Sequence, residues 1–290
     1  MRLAILGFGL IGGSIARSLA ERDPGAWHVT CWSRSLEQPR AALRRGLIAA
    51  VAPDAATAAA SAELIVLAAS PQANLELVDR LGPALAGGQQ TLTDVSSVQG
   101  PIAARAAAQE GLRFVGGHPM SGRERRGFEA ATPDLFVDRP WIVVAGEAAQ
   151  DTDVDRVREL ARACGARPVA MDAATHDGAV GGVSHLPLLA SLCLVEAVTS
   201  GPDWETARGL RAGAWRDMTR LARGDAELGA GILALNAPVL AGWVGRYREA
   251  LGRWEQTLNE LTFGSDTPGT GLEEQLREIA DLAEEAAAPS

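Results

Sequence analysis

"ILGFGLIGGS", residues 5–14, decides the fold. It leads straight from an apolar segment into a stretch with helical spacing, and Gly7, Gly9 and Gly12 fit G-x-G-x-x-G. The first glycine of such a loop permits a tight turn. The second lets the backbone approach a pyrophosphate, and the third lets the helix pack closely on the strand. The helix N-terminus then offers free N–H groups and a positive dipole end to the phosphates. Gly7, Gly9, Leu10, Ile11 and Gly12 are therefore candidate dinucleotide contacts. A lone glycine pattern also marks ordinary structural turns; here a strand precedes it, a helix follows, and the order of elements beyond it is of the matching kind.

Outward from the loop, short apolar runs alternate with helical segments. The strand candidates are 3–6, 29–32, 64–68, 91–95, 113–115, 141–145 and 168–171, with helical spacing between most of them, as over 36–45 and 73–81. This alternation predicts βαβ units and a mainly parallel sheet. After about residue 172 the strand signals stop. Ser184 is placed to cap a helix through "HLPLLASLCLVEAV", and further helices are predicted over 204–222, 226–235, 237–261 and 272–287. The expected architecture is α/β: a dinucleotide-binding domain over 1–172, followed by an all-helical domain over 173–290.

Composition narrows the function. With 47% hydrophobic and 22% charged residues in 290, the chain can bury a sizeable core and suits two domains. A net charge of −9 argues against nucleic acid as a partner, because phosphate neutralisation needs a basic face. All 27 basic residues are arginine. Cys31, Cys164 and Cys193 show no paired spacing, so neither a disulfide framework nor a zinc site is expected, and a reducing cytoplasm fits. No signal peptide is read at the N-terminus, and no uninterrupted apolar run long enough for a membrane span is found.

Two further stretches carry chemistry. In "CWSRS", Ser33 and Arg34 stand where NAD-binding folds usually place an acidic residue on the ribose 2′-hydroxyl. A carboxylate there would repel a 2′-phosphate, whereas serine and arginine can bond and neutralise it, so NADP is expected in preference to NAD. Arg34 could also be a solvated loop residue. In "FVGGHPMSG", residues 114–122, Pro119 biases His118 toward extended geometry, which puts the imidazole at a strand end. The carboxyl ends of the strands border the ligand crevice in open α/β sheets. His118 therefore shares an edge with the glycine loop and with Asp94, Ser96 and Ser97 of "TDVSSV". An imidazole titrates near neutrality and suits removal of a hydroxyl proton as hydride leaves the same carbon. A core histidine satisfied by one hydrogen bond is the plainer alternative.

Taken together, "GFGLIGGS", "TDVSSVQG", "FVGGHPMSG", "HDGAVGGVSHLPLLAS" and "RDMTRLA" make the chain resemble the prephenate and arogenate dehydrogenases of tyrosine biosynthesis, over nearly its whole length. The resemblance implies a Rossmann-type N-terminal domain and a helical C-terminal domain that dimerises. It implies NAD(P)-dependent oxidative decarboxylation with no metal. It implies His118 as the catalytic histidine on the substrate's ring hydroxyl, Ser97 as its hydroxyl partner, Arg220 on a substrate carboxylate, and His185 and Glu124 lining the substrate site. Neither a chorismate mutase segment before the glycine loop nor an ACT domain after the helices is expected.

The chain departs from the family pattern at Gln99, where a lysine is common, at Ala214, where glycine is frequent, and at Gly229, where several bacterial members carry tryptophan. "AELGAGILALN" looks more like the cyanobacterial, NADP-linked arogenate branch, so both substrates stay open. A β-hydroxyacid dehydrogenase would share the two-domain plan, but that family relies on a lysine. A non-catalytic dinucleotide sensor would need neither His118 nor Arg220. Finally, Leu240, Val244, Tyr247, Leu251, Trp254, Leu258 and Leu261 form a heptad stripe, which reads either as a core-facing helix or as one packed on a second subunit of a homodimer.

Overall fold

The computed structural model describes residues 1–122, 126–263 and 270–287. The chain forms two compact units, 1–240 and 241–290. The first contains an eight-stranded sheet: β1 (Arg2–Leu6), β2 (His28–Trp32), β3 (Ala50–Val51), β4 (Leu64–Leu67), β5 (Thr91–Asp94), β6 (Phe114–Pro119), β7 (Pro140–Ala145) and β8 (Arg167–Ala170), in the order 3-2-1-4-5-6-7-8. β1 to β6 are mutually parallel. β7 runs antiparallel to β6, and β8 runs parallel to β7. The order reverses between β1 and β4, which opens a crevice at the carboxyl ends of those strands.

Helices cover both faces: α1 (Leu10–Arg22), α2 (Glu37–Arg44), α3 (Ala55–Ala60), α4 (Pro71–Leu85), α5 (Gly100–Ala107) and α6 (Asp151–Ala163). Because both faces are covered, β1 and β4 are near-continuous apolar runs, with Leu3 to Leu6 and Leu64 to Leu67 all buried. One core lies under α1 and α6 and includes Ile15, Leu19, Phe128, Trp141 and Leu160. The other lies under α3, α4 and α5 and includes Ile65, Leu75, Val78, Ile102 and Phe114.

Two sheet details differ from expectation. The two-residue β3 was not read from the sequence because so short a run carries no periodicity. β6 extends beyond the apolar run 113–115 to Pro119, so that His118 lies at its end as expected, and the antiparallel partner lengthens the ladder, pairing His118 with Ile142 and Pro119 with Trp141.

Beyond β8 the described residues are helical: α7 (Ala173–Val180), α8 (Leu186–Thr199), α9 (Trp204–Ala207), α10 (Gly213–Met218), α11 (Ala226–Leu235), α12 (Ala237–Phe263) and α13 (Thr270–Ala287). Ser184 does not cap a helix. It lies inside a π-helical turn, Gly181–His185, that joins α7 to α8, and the cap belongs to Asp172, whose side chain accepts from the Thr175 N–H. The single helix expected over 204–222 is broken into α9, α10 and a 3-10 turn at Leu221–Arg223, with the weak helix formers Gly209 and Gly213 at the first break. The helical run Ala173–Thr199 is long and apolar enough, by length and composition, to cross a bilayer. In the sequence this run is interrupted by His176, Asp177 and His185.

Candidate active site

The site is built on the carboxyl edge of the sheet. Gly7 follows β1 with φ +104°, and a Cβ there would meet the Ala68 carbonyl carbon at 2.5 Å, so only glycine fits the turn. A Cβ at Gly12 would collide with the Gly7 carbonyl. A Cβ at Gly9, by contrast, would meet nothing within 4 Å. The space above Gly9 and the uncapped first turn of α1 form a cradle of backbone donors suited to a pyrophosphate. Ser33 is half-buried and Arg34 exposed, directly after β2.

The Gly116-Gly117 pair is explained by close approach. A Cβ on Gly116 would collide with the Gln99 side-chain oxygen, and one on Gly117 would lie 2.6 Å from the Asp94 carbonyl oxygen. Asp94 ends β5 fully buried and accepts from the Gly117 N–H at 3.0 Å and the Ser96 N–H at 2.9 Å. Burial pushes its carboxyl up to about 6, against the pull of these hydrogen bonds. Gln99 donates from Nε2 to the carbonyls of Ser96 (2.9 Å) and Gly117 (3.1 Å), bridging the β5–α5 turn to β6. The strand that carries His118 is thus clamped on the side facing β5.

His118 is 8% exposed, and its Nδ1 lies 2.8 Å from His176 Nε2. His176 Nδ1 lies 2.7 Å from Asp177 Oδ1. Asp177 also accepts from the Gln99 N–H and the Gly100 N–H, each at 2.7 Å, at the start of α5. Burial works to raise the Asp177 carboxyl, yet the bonds from His176, Gln99 and Gly100 together hold it below the ordinary range. Asn236, between α11 and α12, donates to the Asp177 carbonyl at 3.0 Å and contacts His185 Nδ1 at 3.0 Å. His185 Nε2 is buried and has no hydrogen-bond partner among the described residues. Burial, then the neighbouring His176 and His185, press the His118 imidazole down to about 3 against the opposing pull of Asp177. Burial likewise lowers His185 to about 4. Both rings are therefore neutral at pH 7.

The arrangement gathers His118 and His185, two of the expected site residues, into one buried cluster. Ser97 sits partly exposed in the β5–α5 turn, and among the described residues no hydrogen bond joins it to His118, whose Nδ1 is directed at His176. Its neighbour Ser96 is held by Asn74 Nδ2 at 3.0 Å. Arg220 is exposed and precedes the 3-10 turn that packs on α8, where the Ala222 N–H donates to Ser191 Oγ at 3.0 Å. Glu124 lies outside the described residues. His176, Asp177 and Asn236 were not singled out from the sequence. A signal was present: the chain has only four histidines, and one stands in the His176-Asp177 pair nine positions before His185.

Sheet order, glycine loop and strand-end histidine define a dinucleotide-binding α/β protein with a helical C-terminal part. Residues 15–170 match the family model for the prephenate dehydrogenase nucleotide-binding domain, and residues 172–268 match that for the prephenate dehydrogenase dimerization domain. The chain belongs to the prephenate dehydrogenase family. It is 28% identical over 237 residues to the prephenate dehydrogenase of Bacillus subtilis, covering 81% of this chain and 64% of that protein. It is 29% identical over 242 residues to the enzyme of the same name from Lactococcus lactis, covering 82% of this chain and 66% of that one. The chain thus spans just under two thirds of the length of these two relatives. Among solved structures, Synechocystis arogenate dehydrogenase superposes with a TM-score of 0.81 at 26% identity, covering 99% of this chain and 100% of that one.

Proposed function

We propose that the chain catalyses NAD(P)-dependent oxidative decarboxylation of prephenate to 4-hydroxyphenylpyruvate, or of arogenate to tyrosine. The observation that carries this reading is His118, neutral and clamped at the carboxyl edge of the sheet that bears the glycine loop, in a chain of this family. Both substrates are cyclohexadienols with a ring carboxylate, so loss of hydride and CO₂ makes the ring aromatic and supplies the driving force. The chain must then align, polarise and hold.

Gly7, Gly9, Leu10, Ile11 and Gly12 hold the dinucleotide phosphates, and the dinucleotide, when bound, supplies the hydride acceptor. His118 takes the ring-hydroxyl proton, and Ser97 bonds the same oxygen or orients the ring. Arg220 takes a substrate carboxylate, which an arginine can pair bidentately, and Glu124, outside the described residues, is assigned to the substrate site by the resemblance alone. His185 offers its unpartnered Nε2, which as a buried polar atom is left for a ligand to satisfy. Ser33 and Arg34 favour NADP over NAD. The functional seam falls at residue 172, with the nucleotide held before it and the substrate closed in after it.

A homodimer is part of the reading. α8 is apolar on nearly every side yet buries only Ser191, and on α12 Tyr247, Leu251 and Leu258 are 40%, 51% and 58% exposed. Apolar faces of this extent need a cover. We assign that cover to a second copy and not to lipid, because His176, Asp177 and His185 anchor the long helical run in the polar site. A cytoplasmic setting fits this assignment.

The test is absorbance at 340 nm with purified protein, each substrate and each dinucleotide. Reduction dependent on prephenate or arogenate is expected, with kcat/KM higher for NADP and the preference reduced in Arg34→Ala. No reduction with either substrate would leave a dinucleotide-binding protein without this activity.

A further inference from the structure

Three of the four histidines meet in one buried cluster, and only two of them have a role above. The third, His176, is 1% exposed and lies between His118 and Asp177. Its position fixes proton placement. Asp177, held as a carboxylate by two backbone N–H groups, can only accept. The 2.7 Å contact therefore requires the proton on His176 Nδ1. A neutral His176 then has a bare Nε2, so the 2.8 Å contact to His118 requires the proton on His118 Nδ1. That leaves His118 Nε2 as a lone pair, the form a base needs. One carboxylate sets the tautomer of two rings in series.

We propose that His118, His176 and Asp177 form a proton relay, in which His176 receives the charge generated when His118 takes the substrate hydroxyl proton. This rests on His118 being the base. The hydroxyl O–H breaks and His118 Nε2–H forms while hydride leaves the same carbon for the nicotinamide, so the substrate is oxidised and the nicotinamide reduced. His118 Nδ1–H passes its proton to His176 Nε2. His176 keeps Nδ1–H on Asp177, so the positive charge ends beside a carboxylate. When CO₂ departs, the bonding pair aromatises the ring to a phenolate, which takes the proton back along the same path. No proton is gained or lost overall.

The relay answers a difficulty in the site. Held alone, a proton on His118 would face burial and two other imidazoles, which is why the ring is pressed down to about 3. The titratable groups around the relay are Asp94 on β5, His118 on β6, Asp177 on α7 and His185 in the π turn. Of these, Asp177 is the acid bonded to His176. His176 and Asp177 do not touch substrate in this scheme; they are positioning residues.

The test compares His176→Gln with wild type and with His118→Asn, using the full chain with dinucleotide and substrate. Glutamine can still accept from His118 Nδ1–H but cannot take the proton. In His176→Gln, melting temperature and dinucleotide affinity should stay near wild type. Its kcat should fall by on the order of 10²-fold, the low end of the cost of losing base assistance. The acid limb of its kcat–pH profile should differ from the wild type's, because the charge formed on His118 then has no second imidazole to move to. A folded variant with a wild-type profile, while His118→Asn is inactive, overturns the relay and leaves His118 as the base. Near-native turnover in His118→Asn overturns the base assignment itself. Should His176→Gln not fold, the wild type decides through a proton inventory in H₂O/D₂O mixtures. Ring-deuterated substrate is used there so that hydride transfer limits the rate. A curved plot, two protons in flight, is expected, and a straight line overturns the relay.

Discussion

At the residue scale, the proposed chemistry rests on one side chain, whose place at the sheet edge its flanks announced. His118 was legible because Gly116, Gly117 and Pro119 are odd choices for a strand interior, and the structure gives them their reasons: close approach to Gln99 and Asp94, and an extended run paired with β7. His176, Asp177 and Asn236 were not legible. Their meaning depends on contacts spanning 58 residues from His118 to His176 and 59 from Asp177 to Asn236, which no local pattern records. The side chain of His118→Asn can still donate to His176, so the fold should hold. It cannot accept a proton at neutral pH, so kcat is expected to drop about 10²–10⁴-fold with dinucleotide affinity unchanged. Stopped-flow turnover beside a fluorescence titration of the dinucleotide checks both halves. Native turnover would make His118 a structural residue.

At the element scale, the loop from β1 to α1 separates steric from binding roles. The glycine spacing showed that a turn had to be there, but not which glycine the fold requires and which the ligand requires. Gly7→Ala must force a positive φ, itself worth about 1–3 kcal/mol, and push a methyl into the Ala68 backbone. Its melting temperature should fall. Gly9→Ala places its methyl in open space, so the melting temperature should stay put, while dinucleotide affinity should fall if the pyrophosphate lies in the cradle proposed above. Calorimetric melting and a binding titration on the two variants should give opposite rankings. Unchanged dinucleotide affinity in Gly9→Ala would remove Gly9 from the site. The helices over 204–222 were misread for a related reason: their spacing is amphipathic enough, but Gly209 and Gly213 break the ladder locally.

At the scale of the whole molecule, burial sets the response to acid. His118 and His185 titrate near 3 and 4 when folded and near 6.5 when unfolded, so their contribution is full above about pH 6.5 and is lost as pH falls through the folded values. Asp94, raised to about 6, works the other way, adding stability as pH falls from 6 toward its unfolded value. Near pH 5 the unfolded chain takes up about two protons on the histidines and the folded chain about one on Asp94. The net is a loss of about 1.4 kcal/mol per pH unit. Thermal midpoints should fall between pH 7 and pH 5, and more steeply in Asp94→Asn; a midpoint that rises over that range would contradict these shifts. For the assembly, Leu251→Glu with Leu258→Glu should turn a sedimenting dimer into a monomer, and an unchanged dimer would place the interface elsewhere. The heptad stripe was visible in the sequence, but its exposure was not, because periodicity alone does not say which face meets solvent. The π turn at Gly181–His185 has one more consequence. Asp177 and His185 are eight residues apart, which in an unbroken α-helix leaves them about 80° out of phase. The wide turn retards the helix by about one residue, roughly 100°, and brings both onto the side where Asn236 bridges them. It works as a vernier between two halves of one rod: straightening the turn into regular α-helix at the same length would rotate His185, Ser191 and the apolar faces of α8 together by about a quarter turn against α7, whereas deleting one residue along with it would leave them in phase.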